Sequence, residues 1–473
     1  MELPESYYGS DKNSFPEEEE IKSKIEECKK HILAGETILY LDLIEETVEL
    51  CADYDLPHEG IFLTEALLEA APYNSDAWLF KGIFLNNLFE YEEAYFALNK
   101  ALSYNPRDAE ALLNKAIAEE NLGFVKDAIE TLKKVIEIEP ENLDAHFNLG
   151  LIYEKKELFS QAAFHFEAVI KKDPENTEAL YELGYCYENS DKLDEALRVY
   201  EKYLEIDPYS PTAWYNKGIV LLRKEAFEKA ADAFELSVAI DSEFSSAWFN
   251  CGIAYANMKR FSKALECFLT SYKLEPDDAI IPFNIAQIYE DLGNIENAVV
   301  YYSQAVKSNP NFDEAYFARA ICYKKIKEYE KALDDAKTYA TLKPNDTKAL
   351  FLTASIYEAK EDYEKAIESY FFILEKEPTN FEATFKLAGA LINAGRFEEG
   401  KNYYLKCIQM RGNHANSFYG MAKAFFLLNE KEKAYGSLLK AISIDPRYKT
   451  KIIREFPFLA DSPIFLELLK DNK

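Results

Sequence analysis

AHFNLGLIYEKKELFSQAAFHFEAVIKKDP, residues 145–174, carries the pattern that decides the fold. Two small residues, Gly150 and Ala162, stand twelve apart, each within a segment whose apolar residues recur every three or four places, and Pro174 closes the stretch. Such spacing predicts two amphipathic helices packed antiparallel, with the small side chains letting their axes approach to the short end of the usual 8 to 10 Å range. AWYNKGIVLLRKEAFEKAADAFELSVAID, residues 213–241, repeats the pattern two periods later. A period of 34 holds without insertion over residues 41–448, giving twelve repeats.

With Leu41 as position 1, position 8 is Gly or Ala in eleven of twelve repeats, Val48 being the exception, and position 20 is Gly or Ala in all twelve. Position 32 is proline in ten, replaced by Ser242 and Gly412. Proline stops the second helix because it lacks an N–H and crowds the preceding turn. The Asn, Asp and Ser residues that follow are start signals for the next helix. A hairpin of two such short helices is marginal alone and is stabilised by stacking on its neighbours. The substitutions at 242 and 412 predict looser joints after the sixth and eleventh repeats.

Small residues at 8 and 20, aromatic or aliphatic residues at 4, 11 and 24, and proline at 32 recur together, and in this the array resembles the tetratricopeptide repeat family. The resemblance covers residues 41–448. It implies an all-α fold, an α-solenoid in which helix-turn-helix hairpins form a right-handed superhelix with the first helix of each pair on the concave side. The first repeat, 41–74, departs most from the pattern and reads as a divergent cap. Residues 1–20, with seven acids and one lysine, read as a disordered acidic tail. Residues 21–40 read as a capping helix through Ile21, Ile25, Cys28 and Ile32. Residues 449–473 read as a closing helical cap carried by Ile452, Ile453, Phe456, Phe458, Leu459, Phe465, Leu466 and Leu469.

The formal charge of −30 repels phosphate backbones and anionic lipid surfaces, so neither nucleic acid nor an RNA-binding groove is expected. No run of about eighteen apolar residues suggests a membrane span, and no leader pattern opens the chain, which predicts a cytoplasmic protein. The seven cysteines are scattered without a C-x-x-C pair and read as small core residues. His58-Glu59 starts an H-E-x-x-H pattern that Phe62 breaks. No phosphate-cradling or nucleophile-elbow motif occurs, and the five histidines read as spread over distant repeats. No catalytic residue, metal or cofactor is expected; only 40 residues precede the array and 25 follow it, too few for a catalytic domain.

At about 100° per residue, positions 4 and 11 face the partner helix, while 5, 9, 12, 2, 13 and 6 fan over a side nothing in the hairpin covers. Position 5 is aromatic in nine consecutive repeats: Phe147, Tyr181, Tyr215, Phe249, Phe283, Phe317, Phe351, Phe385 and Tyr419. Position 6 is asparagine in five: Asn114, Asn148, Asn216, Asn250 and Asn284. Aromatic rings supply contact area at little entropy cost and amides pair with any peptide backbone, so these residues are candidates for gripping an extended peptide. The same residues serve equally as inter-helix packing. Position 5 is never Lys and position 9 never Asn, which argues against the clamp with which relatives grip chaperone C-termini. Groove acids Glu45, Glu46, Glu49, Glu120, Glu154, Glu182 and Glu188, against Lys324, Lys325, Lys386 and Lys423 later, predict a partner whose basic part lies on the early repeats. The expected role is a protein-binding scaffold for a protein or peptide, or alternatively a substrate-presenting or complex-assembly factor for a separately encoded enzyme or membrane complex.

Overall fold

Apolar periodicity of 3.6 and proline punctuation produce helices throughout the computed structural model, which describes residues 16–459, and no strand occurs among them. The chain divides into two compact blocks, Met1–Ile240 and Asp241–Lys473. The first holds a helix Pro16–Leu33, a 3-10 turn Thr37–Tyr40 and six hairpins, from Leu41–Asp53 with Pro57–Ala70 to Pro211–Arg223 with Phe227–Ile240. The second holds six hairpins, from Ser245–Asn257 with Phe261–Leu274 to Ala415–Leu427 with Lys431–Ile444, then a helix Tyr448–Glu455 and a 3-10 turn Pro457–Leu459. In each hairpin the first helix is called helix A and the second helix B. Each block is an all-α solenoid.

The small residues do what the spacing requires. A Cβ placed on Gly150, Gly184, Gly218 or Gly252 would stand 2.5 to 2.7 Å from the ring of Phe166, Tyr200, Phe234 or Phe268, at position 24 of the same repeat. Helix B therefore lays a fully buried ring directly on the backbone of helix A. Gly60, at position 20 on helix B of the divergent first repeat, gives its Cβ space instead to the ring of Phe84 from helix A of the next repeat.

Both helix ends are specified locally. Asn74, Asp108, Asn142, Asn176, Ser210 and Asn380, at position 34, each accept a hydrogen bond from the backbone N–H three residues on, capping the next helix A. Asp278 and Asp346 accept instead from the N–H two residues on. At the other end, position 15 adopts positive φ in every repeat, from Asp55 at 51° to Gly123 at 81°. The N–H of Leu158 donates to the Tyr153 carbonyl and that of Glu157 to Glu154, the paired bonds of a Schellman cap, and Lys192 and Asp191 repeat them.

The ends of the array differ from their sequence reading in detail. The first helix already includes Pro16 to Glu20, ahead of Ile21, where the sequence reading starts it. It ends at Leu33, and residues 37–40 turn as 3-10 helix instead of continuing it. Ile21, Ile25 and Cys28 are buried against Ile44, Val48 and Cys51. At the far end Ile452 and Leu459 are buried beside Tyr419 and Leu438. The acidic tail up to residue 15, and Phe465, Leu466 and Leu469, lie outside the described residues, as does the side chain of Phe458.

Glu119 stands at position 11, which is apolar or aromatic in the other repeats, and it is buried. The Thr131 hydroxyl donates to it at 2.8 Å and the Lys115 ammonium stands 3.5 Å away, so its lone pairs are satisfied where it lies.

Candidate functional site

Helix A presents its uncovered stripe between position 5 and position 13, and the rings at position 5 stand half-buried there. Each lies against a ring of helix B in its own repeat: Phe147 on Phe166, Tyr215 on Phe234, Phe249 on Phe268, Phe283 on Tyr302, Phe351 on Tyr370 and Phe385 on Tyr404, with centroids 5.4 to 6.2 Å apart. Tyr181 and Phe317 choose Tyr203 and Tyr339, three residues later on helix B. One side of the ladder is thus committed to packing, and Phe283 and Phe385 carry a second ring as well, Phe312 at 4.9 Å and His414 at 5.3 Å. Tyr419 departs from the ladder: it is buried under the terminal helix, with Tyr448 5.5 Å away and the Lys451 ammonium 4.6 Å over its ring. As a groove residue Tyr419 is withdrawn, because the cap occupies the stripe at the last repeat.

The asparagines turn inward more than the sequence suggested. Asn114, Asn148, Asn250 and Asn284 each donate to the carbonyl four residues back on their own helix at 2.8 to 3.0 Å, and Asn216 lies beside the buried Tyr200 hydroxyl.

Two recesses lie on these stripes. In the second block, a recess of about 800 Å³ is bordered by Ile253, Phe283, Asn284, Gln287, Phe317 and Ile321, with Glu290 and Lys325 at its edge. In the first block, one of about 500 Å³ is lined by Phe147, Leu151, Thr177, Glu178, Tyr181, Glu182 and Tyr203.

Charge on the stripe follows a rule between neighbouring repeats. A glutamate at position 12 meets a cation at position 13 of the next helix A: Glu120 with Lys155 at 2.6 Å, Glu188 with Arg223 at 3.6 Å, and Glu290 with Lys325 at 2.8 Å. Lys324 donates to the Ser355 hydroxyl at 3.0 Å, and burial holds its ammonium below the usual range. Glu358 meets Asn393 at the next position 13 but gains attraction from Lys386. Glu154 breaks the rule, since Asn189 stands in the cation's place and Glu182 lies against it. Burial first, then the Glu182 charge, push the Glu154 carboxyl up to about 7. The Cys186 thiol, itself pushed up to about 12 by burial, donates weakly to it at 3.9 Å.

The sequence reading dispersed the histidines over distant repeats, and the structure corrects that for one pair. His146 and His165 share a hairpin, their Nδ1 atoms 3.0 Å apart, while His146 Nε2 lies 3.2 Å from the Pro140 carbonyl. Trp78, Trp214 and Trp248, also at position 4, donate their indole N–H to the carbonyl six residues back at 2.9 to 3.0 Å. That shared position was the available signal: an aromatic N–H at 4 ties the inter-repeat turn to the next helix. All seven cysteines are buried thiols outside any disulfide. Among the described residues no three His, Cys, Asp or Glu are grouped to hold a metal ion, and no helix is long and apolar enough to cross a membrane.

Comparison with known proteins agrees with this geometry. Family models described as tetratricopeptide repeat match residues 75–108, 147–211, 245–278, 283–312, 301–334, 347–370 and 381–414, and one described as TPR repeat matches 121–157. Together they cover more than half of the chain, and the chain belongs to the tetratricopeptide repeat family. Arrays of this class are protein-interaction scaffolds. Similar solved structures include MamA, at 25% identity over 34% of this chain and 95% of that one with a TM-score of 0.34. Another is YrrB, described as a TPR protein with an unusual peptide-binding site, at 24% identity over 39% and 95% with a TM-score of 0.37. A third is Naa15/Naa10 bound to HypK-THB, at 15% identity over 84% and 67% with a TM-score of 0.39. No curated protein sequence matches the chain.

Proposed function

We propose that the helix A stripes bind extended segments of a protein partner. The observation that carries this reading is the recess of about 800 Å³ in the second block, bordered by ring edges of Phe283 and Phe317, aliphatic Ile253 and Ile321, and the amides of Asn284 and Gln287. Its volume suits a few side chains of a peptide, and its mixture of rigid rings and amides suits a backbone read without strong sequence preference.

The test must spare the packing that the rings also provide. Gln287 is exposed and borders the recess, so Gln287→Trp fills it without touching the core. That variant is expected to keep the parent melting temperature and to lose binding of ten-residue peptide pools measured by fluorescence anisotropy. Unchanged binding by a folded Gln287→Trp protein rejects the recess as the docking place.

A further inference from the structure

We infer that the recess between the fourth and fifth repeats receives a lysine or arginine side chain of the bound peptide. The inference deepens the reading above and rests on it.

Five glutamates occupy position 12: Glu120, Glu154, Glu188, Glu290 and Glu358. Four are answered by a cation from the next repeat, three through position 13 and Glu358 through Lys386 at position 6. Glu154 meets a like charge from the same position 6, Glu182. Lys155, its chain neighbour, is drawn back to Glu120 at 2.6 Å, and the Asn189 amide is spent on the Tyr185 carbonyl at 2.9 Å. The protein therefore brings the half-buried Glu154 and Glu182 together, hydrogen-bonded to each other, and pairs Glu154 with no cation at position 13 or 6 of the next repeat.

What surrounds the pair fits the stem and head of a basic side chain. Phe147 and Leu151 line the recess with apolar surface along which a lysine or arginine stem can lie. Tyr181 and Tyr203, an edge-to-face pair with centroids 6.4 Å apart, line it as well, and Glu178 and Glu182 are the two carboxylates of the lining, with Glu154 beside Glu182. The groups bearing on Glu154 are Lys155 from its own helix, and Glu182 and Cys186 from the next helix A. A cation seated beside them takes the place of the proton the two carboxyls share and adds charge-assisted hydrogen bonds.

The experiment uses the full chain and ten-residue fluorescent peptide pools, randomised except for a central Lys, Arg or Ala. The Lys and Arg pools are expected to bind about tenfold more tightly than the Ala pool, a difference of one charge-assisted contact. Glu154→Gln/Glu182→Gln removes that preference, while Glu175→Gln/Glu205→Gln, equal in charge but at other exposed positions of the same block, retains it. Glu182→Lys copies the Glu358–Lys386 arrangement; it is expected to raise the melting temperature at pH 8 more than at pH 5 and to abolish the preference. Equal binding of all three pools, lost on Gln287→Trp, overturns the basic-residue site and leaves the groove reading standing. Binding indifferent to every groove variant overturns both. A Lys preference that survives in the folded Glu154→Gln/Glu182→Gln protein assigns the attraction to the general acidic field and overturns the site.

Discussion

At the scale of single residues, space and protonation decide most. Gly218 leaves its Cβ space to Phe234, so Gly218→Val forces three carbons against a fully buried ring. Overpacking of this kind costs about 3 kcal/mol, and urea unfolding of the variant is expected to show a loss of that order. The histidine pair sets a different sensitivity. With His146 Nε2–H donating to the Pro140 carbonyl, its Nδ1 is an acceptor and His165 Nδ1–H is the donor. Burial first, then His146, bring His165 down to about 4 from its ordinary 6.5. A depressed histidine contributes stability that is present above 6.5 and is lost as pH falls toward 4. Thermal melting from pH 7 to pH 4 should therefore fall less steeply for His165→Gln than for the parent; parallel curves would refute the pairing. The small residues were legible in the sequence because they recur at one spacing, in eleven repeats at position 8 and in all twelve at position 20. The histidine pair was not, because a single occurrence nineteen residues apart has no period to reveal it. The ring ladder was half legible, since helical angles place position 5 on a stripe but do not say that long rings bend back onto helix B.

The turn between helix A and helix B is the element whose cost the sequence conceals. Position 15 takes the left-handed conformation in every repeat, yet only Gly123, Gly293 and Gly395 are glycines there. A side chain in that region is strained by about 1 kcal/mol. Phe89, at φ 63° and mostly exposed, accepts the strain with little burial in return. Phe89→Gly is expected to stabilise the chain by about 1 kcal/mol in urea melts. An unchanged or lower midpoint would mean that the ring's contact with Tyr91 outweighs the backbone strain. Composition alone did not mark these turns, because the Schellman bonds of the preceding helix hold the conformation whatever residue sits in it. The caps at position 34 were readable from Asn, Asp and Ser, and they fail as signals where Phe244, Phe312 and His414 take that place and do not cap the helix N–H groups.

For the whole molecule, stability is local and additive along each block, since a repeat touches only its neighbours. Ile25→Asp, which buries a charge between the first helix and repeat 1, is expected to release amide protection over residues 41–70 while repeats 3 to 6 keep theirs in hydrogen exchange. Uniform loss across the block would show that it unfolds as one unit. The twelvefold period made the solenoid legible at this scale, and it also made the position-12 mismatch visible, because a rule must hold elsewhere before one exception means anything. At the far end, Tyr448–Glu455 lies where a thirteenth hairpin would stack, with its own lysine over the last groove ring. A second copy stacking there would first have to displace Ile452 from Tyr419 and Leu438, a cost set against head-to-tail growth at that face.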